Sequence, residues 1–169
     1  MNRRHVVFLS AVTLLAAAFL GWKLADPEAR ESRRIQKRLS ALATEISFPE
    51  NESAVRKLTY ADRVGAYFAD PTDFSIALGP RSIEGIHSRA QLEEGCRGIR
   101  AVSRGLEVSF LDITPTLQAD RQRAIAHLTS KIYFKGDPDY WVQEFRLHLA
   151  LADHQWRITR IETVRTMRR

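Results

Sequence analysis

From Leu106 onward the sequence leaves helical spacing for alternation, and this change limits the folds open to the chain more than any other feature. "LEVSFLDITPTL", "RAIAHLTSKIYFK", "YWVQEFRLHLALA" and "QWRITRIETV" are alternating apolar segments of ten residues or more. That period places apolar side chains on one face of a strand. The links between them, "QADRQ", "GDPD" and "DH", are polar and two to five residues long. Links this short join antiparallel neighbours, since a parallel crossover needs about a dozen residues. The segment is expected to form a four-stranded antiparallel meander.

The preceding residues read differently. Asp26 and Pro27 stand where a helix N-cap and first turn are expected, and Ile35, Leu39, Leu42 and Ile46 follow at helical spacing. Phe48-Pro49 ends that helix. A second helix is expected from about Asn51 or Ser53 to Ala69, with Val55, Leu58, Ala61, Val64 and Phe68 as its apolar stripe. "DPTD" (Asp70 to Asp73) has turn chemistry, "FSIALG" reads as a short strand, and "GPRS" (Gly79 to Ser82) reads as a turn. Ser88 with Gln91 three residues on forms a capping box for a third helix reaching about Ser103. Cys96 falls on its stripe with Leu92 and Ile99 and is expected to be a buried, inert thiol.

Helices followed by a long-stranded antiparallel sheet define an α+β domain. The element order, and the closing hairpin "LALADHQWRITRIETV" with its acidic turn and Trp-Arg-Ile, resemble the NTF2-like (SnoaL-like) superfamily over roughly Glu31 to Val164. The resemblance implies a cone: three helices packed on a curved antiparallel sheet of four long strands plus one short strand, with a cavity between. It does not select an activity, because that superfamily holds isomerases, dehydratases and hydrolases beside transport and scaffold proteins.

Strand parity shows which side chains reach such a cavity. In the third long segment Trp141, Phe145, Leu147 and Leu149 share one face with Gln143, while Glu144, Arg146 and His148 share the other. In the second, Ser130 lies among Ala126, Leu128 and Ile132 on the inner face, and His127 points outward. The polar candidates for ligand contact are therefore Tyr60, Asp112, Ser130 and Gln143. Asp112 with Tyr60 would be the pair for enolisation chemistry, a desolvated carboxylate as base and a phenol for the oxyanion. The simpler reading is a strand-edge Asp and a helix-flank Tyr. Glu144, Arg146 and His148 are candidates for a dimer interface on the outer face. His127 and His148 lack a third ligand at metal spacing, so no metal and no cofactor is expected. Asp153-His154 resembles a dyad but stands where a hairpin needs turn-tolerant residues.

The 26 Lys and Arg against 20 Asp and Glu give a net charge of +6. The basic residues are scattered and not interleaved with aromatics, so nucleic acid is not expected as a partner. At the N-terminus, Val6 to Trp22 is uncharged and would span roughly 25 Å as a helix. Val6, Leu14, Leu15 and Phe19 would face lipid, and Trp22 the interface. The run is long for a signal-peptide core, and Lys23 spoils a cleavage site after Ala25, so an uncleaved anchor fits better than a cleaved signal. Residues 1–25 are read as a transmembrane anchor, and residues 26–169 as the NTF2-like domain. Arg3 and Arg4 argue for a cytoplasmic N-terminus with the domain outside, although the basic residues after the span count the other way.

The function expected is a membrane-anchored, extracytoplasmic binding or interaction module without catalysis, with an apolar pocket and a homodimer contact on the outer sheet face. The alternative is a small-molecule isomerase, dehydratase or hydrolase using Asp112 with Tyr60 or Gln143. A secreted domain freed by signal cleavage is the alternative to the membrane form.

Overall fold

The computed structural model describes residues 26–78 and 81–164. Its helices are α1 (Pro27–Ile46), α2 (Ala54–Gly65) and α3 (Arg89–Val102). Its strands are β1 (Phe68–Leu78), β2 (Arg81–His87), β3 (Leu106–Leu117), β4 (Arg123–Phe134), β5 (Trp141–Ala152) and β6 (Gln155–Thr163). They form one sheet in the order β2-β1-β6-β5-β4-β3. The membrane positions Val6, Leu14, Leu15, Phe19 and Trp22 lie outside the described residues. Among those described, no helix is long and apolar enough to cross a membrane.

Helix starts follow the expected chemistry. The Asp26 carboxylate accepts from the Glu28 amide at 3.0 Å with Pro27 in the first turn, and Ser88 with Gln91 forms the reciprocal capping box of α3. These bonds satisfy amides that have no partner inside the helix. The stripe of α1 then buries Ile35, Leu39, Leu42 and Ala43 against the concave face of the sheet. Polar ties fix its angle. The Trp156 indole donates to Glu31 at 3.0 Å, and the Arg38 guanidinium donates to the carbonyls of Trp156 at 2.7 Å and Ala66 at 3.0 Å.

The meander forms as expected, with β3 to β6 paired antiparallel in sequence order. Asp153 and His154 make its two-residue turn, both at positive φ (50° and 60°), which matches the twist of the flanking strands. Past Ile158 the register against β5 shifts, and Ile161 returns to face Leu147.

Several expectations change around β1 and β2. The sheet has six strands rather than five, because residues 81–87 pair with β1 as an edge strand. Arg81 and Ser82 therefore belong to a strand, while Gly79 and Pro80 lie outside the described residues. Alternation was not visible there because Ser82 to Ile86 are all solvent-exposed, so neither face is selected for apolarity. "DPTD" is a register irregularity inside β1, with a cis Asp70-Pro71 bond, rather than a turn between elements. β1 also runs parallel to β6, so the sheet is not wholly antiparallel. This pairing takes Phe68 into the sheet opposite Ile158 and ends α2 at Gly65, four residues earlier than Ala69.

The buried face of α2 is Tyr60, Ala61, Val64 and Gly65, whereas Val55 and Leu58 are 70 % and 80 % exposed. The stripe is rotated toward Tyr60, which packs edge-on against Phe48 at 5.4 Å. Phe48 itself bridges to Leu106. That close crossing explains Gly105, where a Cβ would come within 3.3 Å of the Phe48 carbonyl oxygen and the Lys135 Cβ.

Leu39, fully buried beneath the sheet, sets the expected scale. Leu39→Ala lowers stability by about 2–5 kcal/mol, while Leu58→Ala changes it by less than about 0.5 kcal/mol. Urea midpoints measure both.

Candidate functional site

Inward residues of β3 to β6 curve around a space that α1 covers only in part. Leu42 and Ile46, on the last turns of α1, close one side, and Phe68 and Ile76 of β1 close another. The cavity has a volume of about 700 Å³. Val108, Leu128, Phe145 and Ile158 form its floor, with Phe134 and Trp141 toward its opening. Among the described residues that line it, the only polar side-chain atoms are the hydroxyls of Ser82 and Ser130 and the indole N–H of Trp141. None of these lining residues titrates.

Its opening lies between the end of α3, β2 and the β4–β5 turn. Ile99, Ile83 and Trp141 line the space, and each is nearly half exposed. α3 has no fully buried residue. It is held to α2 by Arg97 to Asp62 at 3.5 Å and by Arg100 stacked over Tyr60 at 4.8 Å, and to the segment before α2 by an ion pair of Arg100 with Glu52 and by Arg100 over Phe48 at 4.5 Å. Cys96 is half-buried beside the core, and burial, with help from Glu93, pushes its thiol up to about 11. It is a poor nucleophile there.

The expected contact residues separate. Ser130 is buried and lines the cavity. Gln143 pairs with Ser130 across the strands, but its amide donates along the backbone, to the carbonyls of Glu144 at 3.1 Å and Val164 at 3.4 Å. Tyr60 is buried outside the lining, where its hydroxyl donates to the Ile46 carbonyl at 2.9 Å. Burial pushes its phenol well above the ordinary value. Asp112 is exposed, on the irregular stretch of β3 between Leu111 and Thr114, with φ of 53°. The structure therefore does not bring Asp112 and Tyr60 together in the cavity. Parity failed at Asp112 because the bulge puts an extra residue in the strand and turns its side chain outward. Residues that parity could not supply are Ser82 and Ile83, from the unforeseen β2, and Ile99 from α3.

Glu144, Arg146 and His148 lie on the outer face, as alternation requires. The row is tied to β6: His148 Nε2 lies 2.7 Å from a Glu162 carboxylate oxygen, and Arg146 lies 3.5 Å from the same oxygen. Arg160 reaches Glu162 at 3.9 Å and Asp73 at 3.4 Å. The hydrogen bond from His148, followed by the nearby Arg160 and Arg146 charges, holds the Glu162 carboxyl below its usual value despite partial burial. No cluster of three or more metal-ligating side chains occurs among the described residues.

No protein-family model matches the sequence, and no curated protein matches it. Solved structures do. A candidate scytalone dehydratase from Novosphingobium aromaticivorans superposes with a TM-score of 0.62 at 17% identity, over 81% of this chain and 85% of that one. A candidate dehydratase of the NTF2-like family from Streptomyces avermitilis gives 0.60 at 9%, over 82% and 98%. A candidate aromatic ring hydroxylase, also from N. aromaticivorans, gives 0.60 at 14%, over 82% and 91%. The fold is that of the NTF2-like α+β cone, with a curved six-stranded sheet and three helices.

Tyr60→Phe is expected to lose about 0.5–1.5 kcal/mol of stability with its hydrogen bond, and Asp112→Asn to lose almost none, by urea titration. Glu162, with its lowered folded value, stabilises the fold fully above the ordinary glutamate range, and this contribution fades as pH falls through the folded value. Glu162→Gln is therefore expected to show a shallower loss of stability on acidification below about pH 4.5, read from urea midpoints at successive pH values.

Proposed function

We propose that this chain is a binding module for an apolar small molecule, held at a membrane by its N-terminal segment and without catalytic turnover. The observation that carries the reading is the cavity of about 700 Å³ with an almost wholly apolar lining. A space of this size and character recovers the hydrophobic free energy of a ligand that fills it, roughly 25 cal/mol per Å² of apolar surface. Turnover by an isomerase, dehydratase or hydrolase would need at least two polar groups converging on substrate. Ser130 has no base beside it in the lining, and Asp112 lies on the outside of the bulge. The structural neighbours described as candidate dehydratases share the fold with this chain, and at such identities a shared fold does not transfer an activity.

The membrane part rests on the uncharged run Val6 to Trp22, with the domain placed outside the cytoplasm. α1 begins beside the β5–β6 turn, where Arg34 donates to the His154 carbonyl at 2.9 Å. The cavity opens at the other end of the strands, by the β4–β5 turn, roughly 35–40 Å away for a 12-residue strand. A tether entering α1 would therefore turn the opening away from its own bilayer. The outer face carrying Glu144, Arg146 and His148 is the surface proposed for self-association.

Titration of the soluble domain with N-phenyl-1-naphthylamine, a neutral dye bright only in apolar surroundings, tests the reading. Saturable enhancement is expected. Ile132→Trp, which fills the cavity, weakens it by at least about tenfold, or ~1.4 kcal/mol, with an unchanged far-ultraviolet circular dichroism spectrum. Absence of saturable binding to the wild-type domain defeats the proposal.

A further inference from the structure

The opening of the cavity differs in character from its interior. Ile99, Phe134 and Trp141 belong both to the cavity and to a recess outside it, whose other walls include Arg104, Lys135 and Asp137. Arg104 also borders a neighbouring recess with Lys57, Arg97 and Arg100. Most of these cations are already matched. Lys135 pairs with Glu50 at 2.8 Å, Arg97 with Asp62 and Glu93, and Arg100 with Glu52. Arg104 is exposed, and among the described residues it has no carboxylate within 4.0 Å. Glu50, on the neighbouring recess, feels its charge but makes its ion pair with Lys135, so a guanidinium without a direct ion pair stands at the rim of an apolar chamber, beside Val102 and Trp141.

On the reading of the chamber as an apolar-ligand site, we infer that its ligand is a single-chain amphiphile with a carboxylate head, its hydrocarbon tail in the cavity and its head at Arg104. The polarity profile sets this orientation. A carboxylate carried inward would lose its hydration among Leu, Ile and Phe side chains with only hydroxyls and an indole to replace it, a heavy cost for an ion. At the rim it keeps water on one side and meets a guanidinium, whose planar fork suits carboxylate bidentately. The apolar walls beside Arg104 lower the local dielectric and strengthen that attraction over one in open water. Ile99 and Trp141 cover the methylenes nearest the head. Asp137 faces the same recess and opposes the anion, so its removal strengthens the preference.

The test compares cis-parinaric acid with its methyl ester, which has the same tail and no charge, by fluorescence on the full chain in low-salt buffer. The acid is expected to bind roughly three- to fivefold tighter, the range of a partly exposed ion pair. Arg104→Gln reduces that ratio to near one without changing ester affinity. Asp137→Asn raises it. Arg30→Gln, which removes the same charge from the first turns of α1 at the far end, leaves it unchanged and so separates a local contact from the effect of net charge. Equal binding of acid and ester to the wild-type chain, or a preference that survives Arg104→Gln, overturns the head-group assignment and leaves the apolar reading standing. Failure of both probes to bind overturns the apolar reading itself, and this inference with it.

Discussion

The packing of one helix across one curved sheet decides where this protein is solid and where it is hollow. Ile35 and Leu39 of α1 are fully buried against the sheet, and Trp156 at the start of β6 is held to that helix through Glu31 and Arg38. These contacts fill the narrow end of the cone. By Leu42 and Ile46 the helix is leaving the sheet, and it ends at Ser47, whose hydroxyl donates to the Ala43 carbonyl while accepting from the Val108 amide. Beyond that point the wide end is roofed only by α3, which has no buried residue. A longer α1 would have filled the space with core, so the cavity is a consequence of where the helix stops.

The charge distribution divides along the same surface. Inside, the lining offers hydroxyls and an indole. Outside, β5 and β6 carry the network around Glu162, in which each cation is close to a carboxylate and the whole is part-exposed. Such pairs contribute modestly to stability because water screens them, but they keep that face from being an apolar sheet surface. A protein built for proton transfer concentrates perturbed groups in its cleft. Here the strongly raised groups, Tyr60 of α2 and Cys96 of α3, are raised chiefly by burial against the core, outside the lining.

Much of this was legible in the sequence, for identifiable reasons. β3 to β6 are half-buried with one apolar face, so alternation recorded them almost to the residue, and Asp153-His154 marked the hairpin. The caps at Asp26 and Ser88 marked helix starts because few side chains can satisfy free amides. β2 left no trace because an exposed edge strand has no face to conserve as apolar. In α2 the expected stripe holds at Ala61 and Val64, but Val55 and Leu58 keep its period while lying in solvent, and burial adds Tyr60 instead. At the site, parity found Ser130 but misplaced Asp112, because an added residue in a strand reverses every side chain until the register recovers. The contributions of Ile83, Ile99 and Arg104 depend on how separate elements meet, which no local pattern encodes.

The central claim is that the wide end of the cone receives an apolar ligand. Isoleucine methyl groups report on it directly, since Ile83, Ile99, Ile132 and Ile161 line the cavity, Ile35 lies in the core beneath α1, and Ile125 is on the outer face. In a methyl-labelled NMR titration of the protein with a long-chain alcohol, the first four are predicted to shift together and saturably while Ile35 and Ile125 hold still. Shifts confined to Ile125, or an unchanged spectrum at saturating alcohol, would contradict the account.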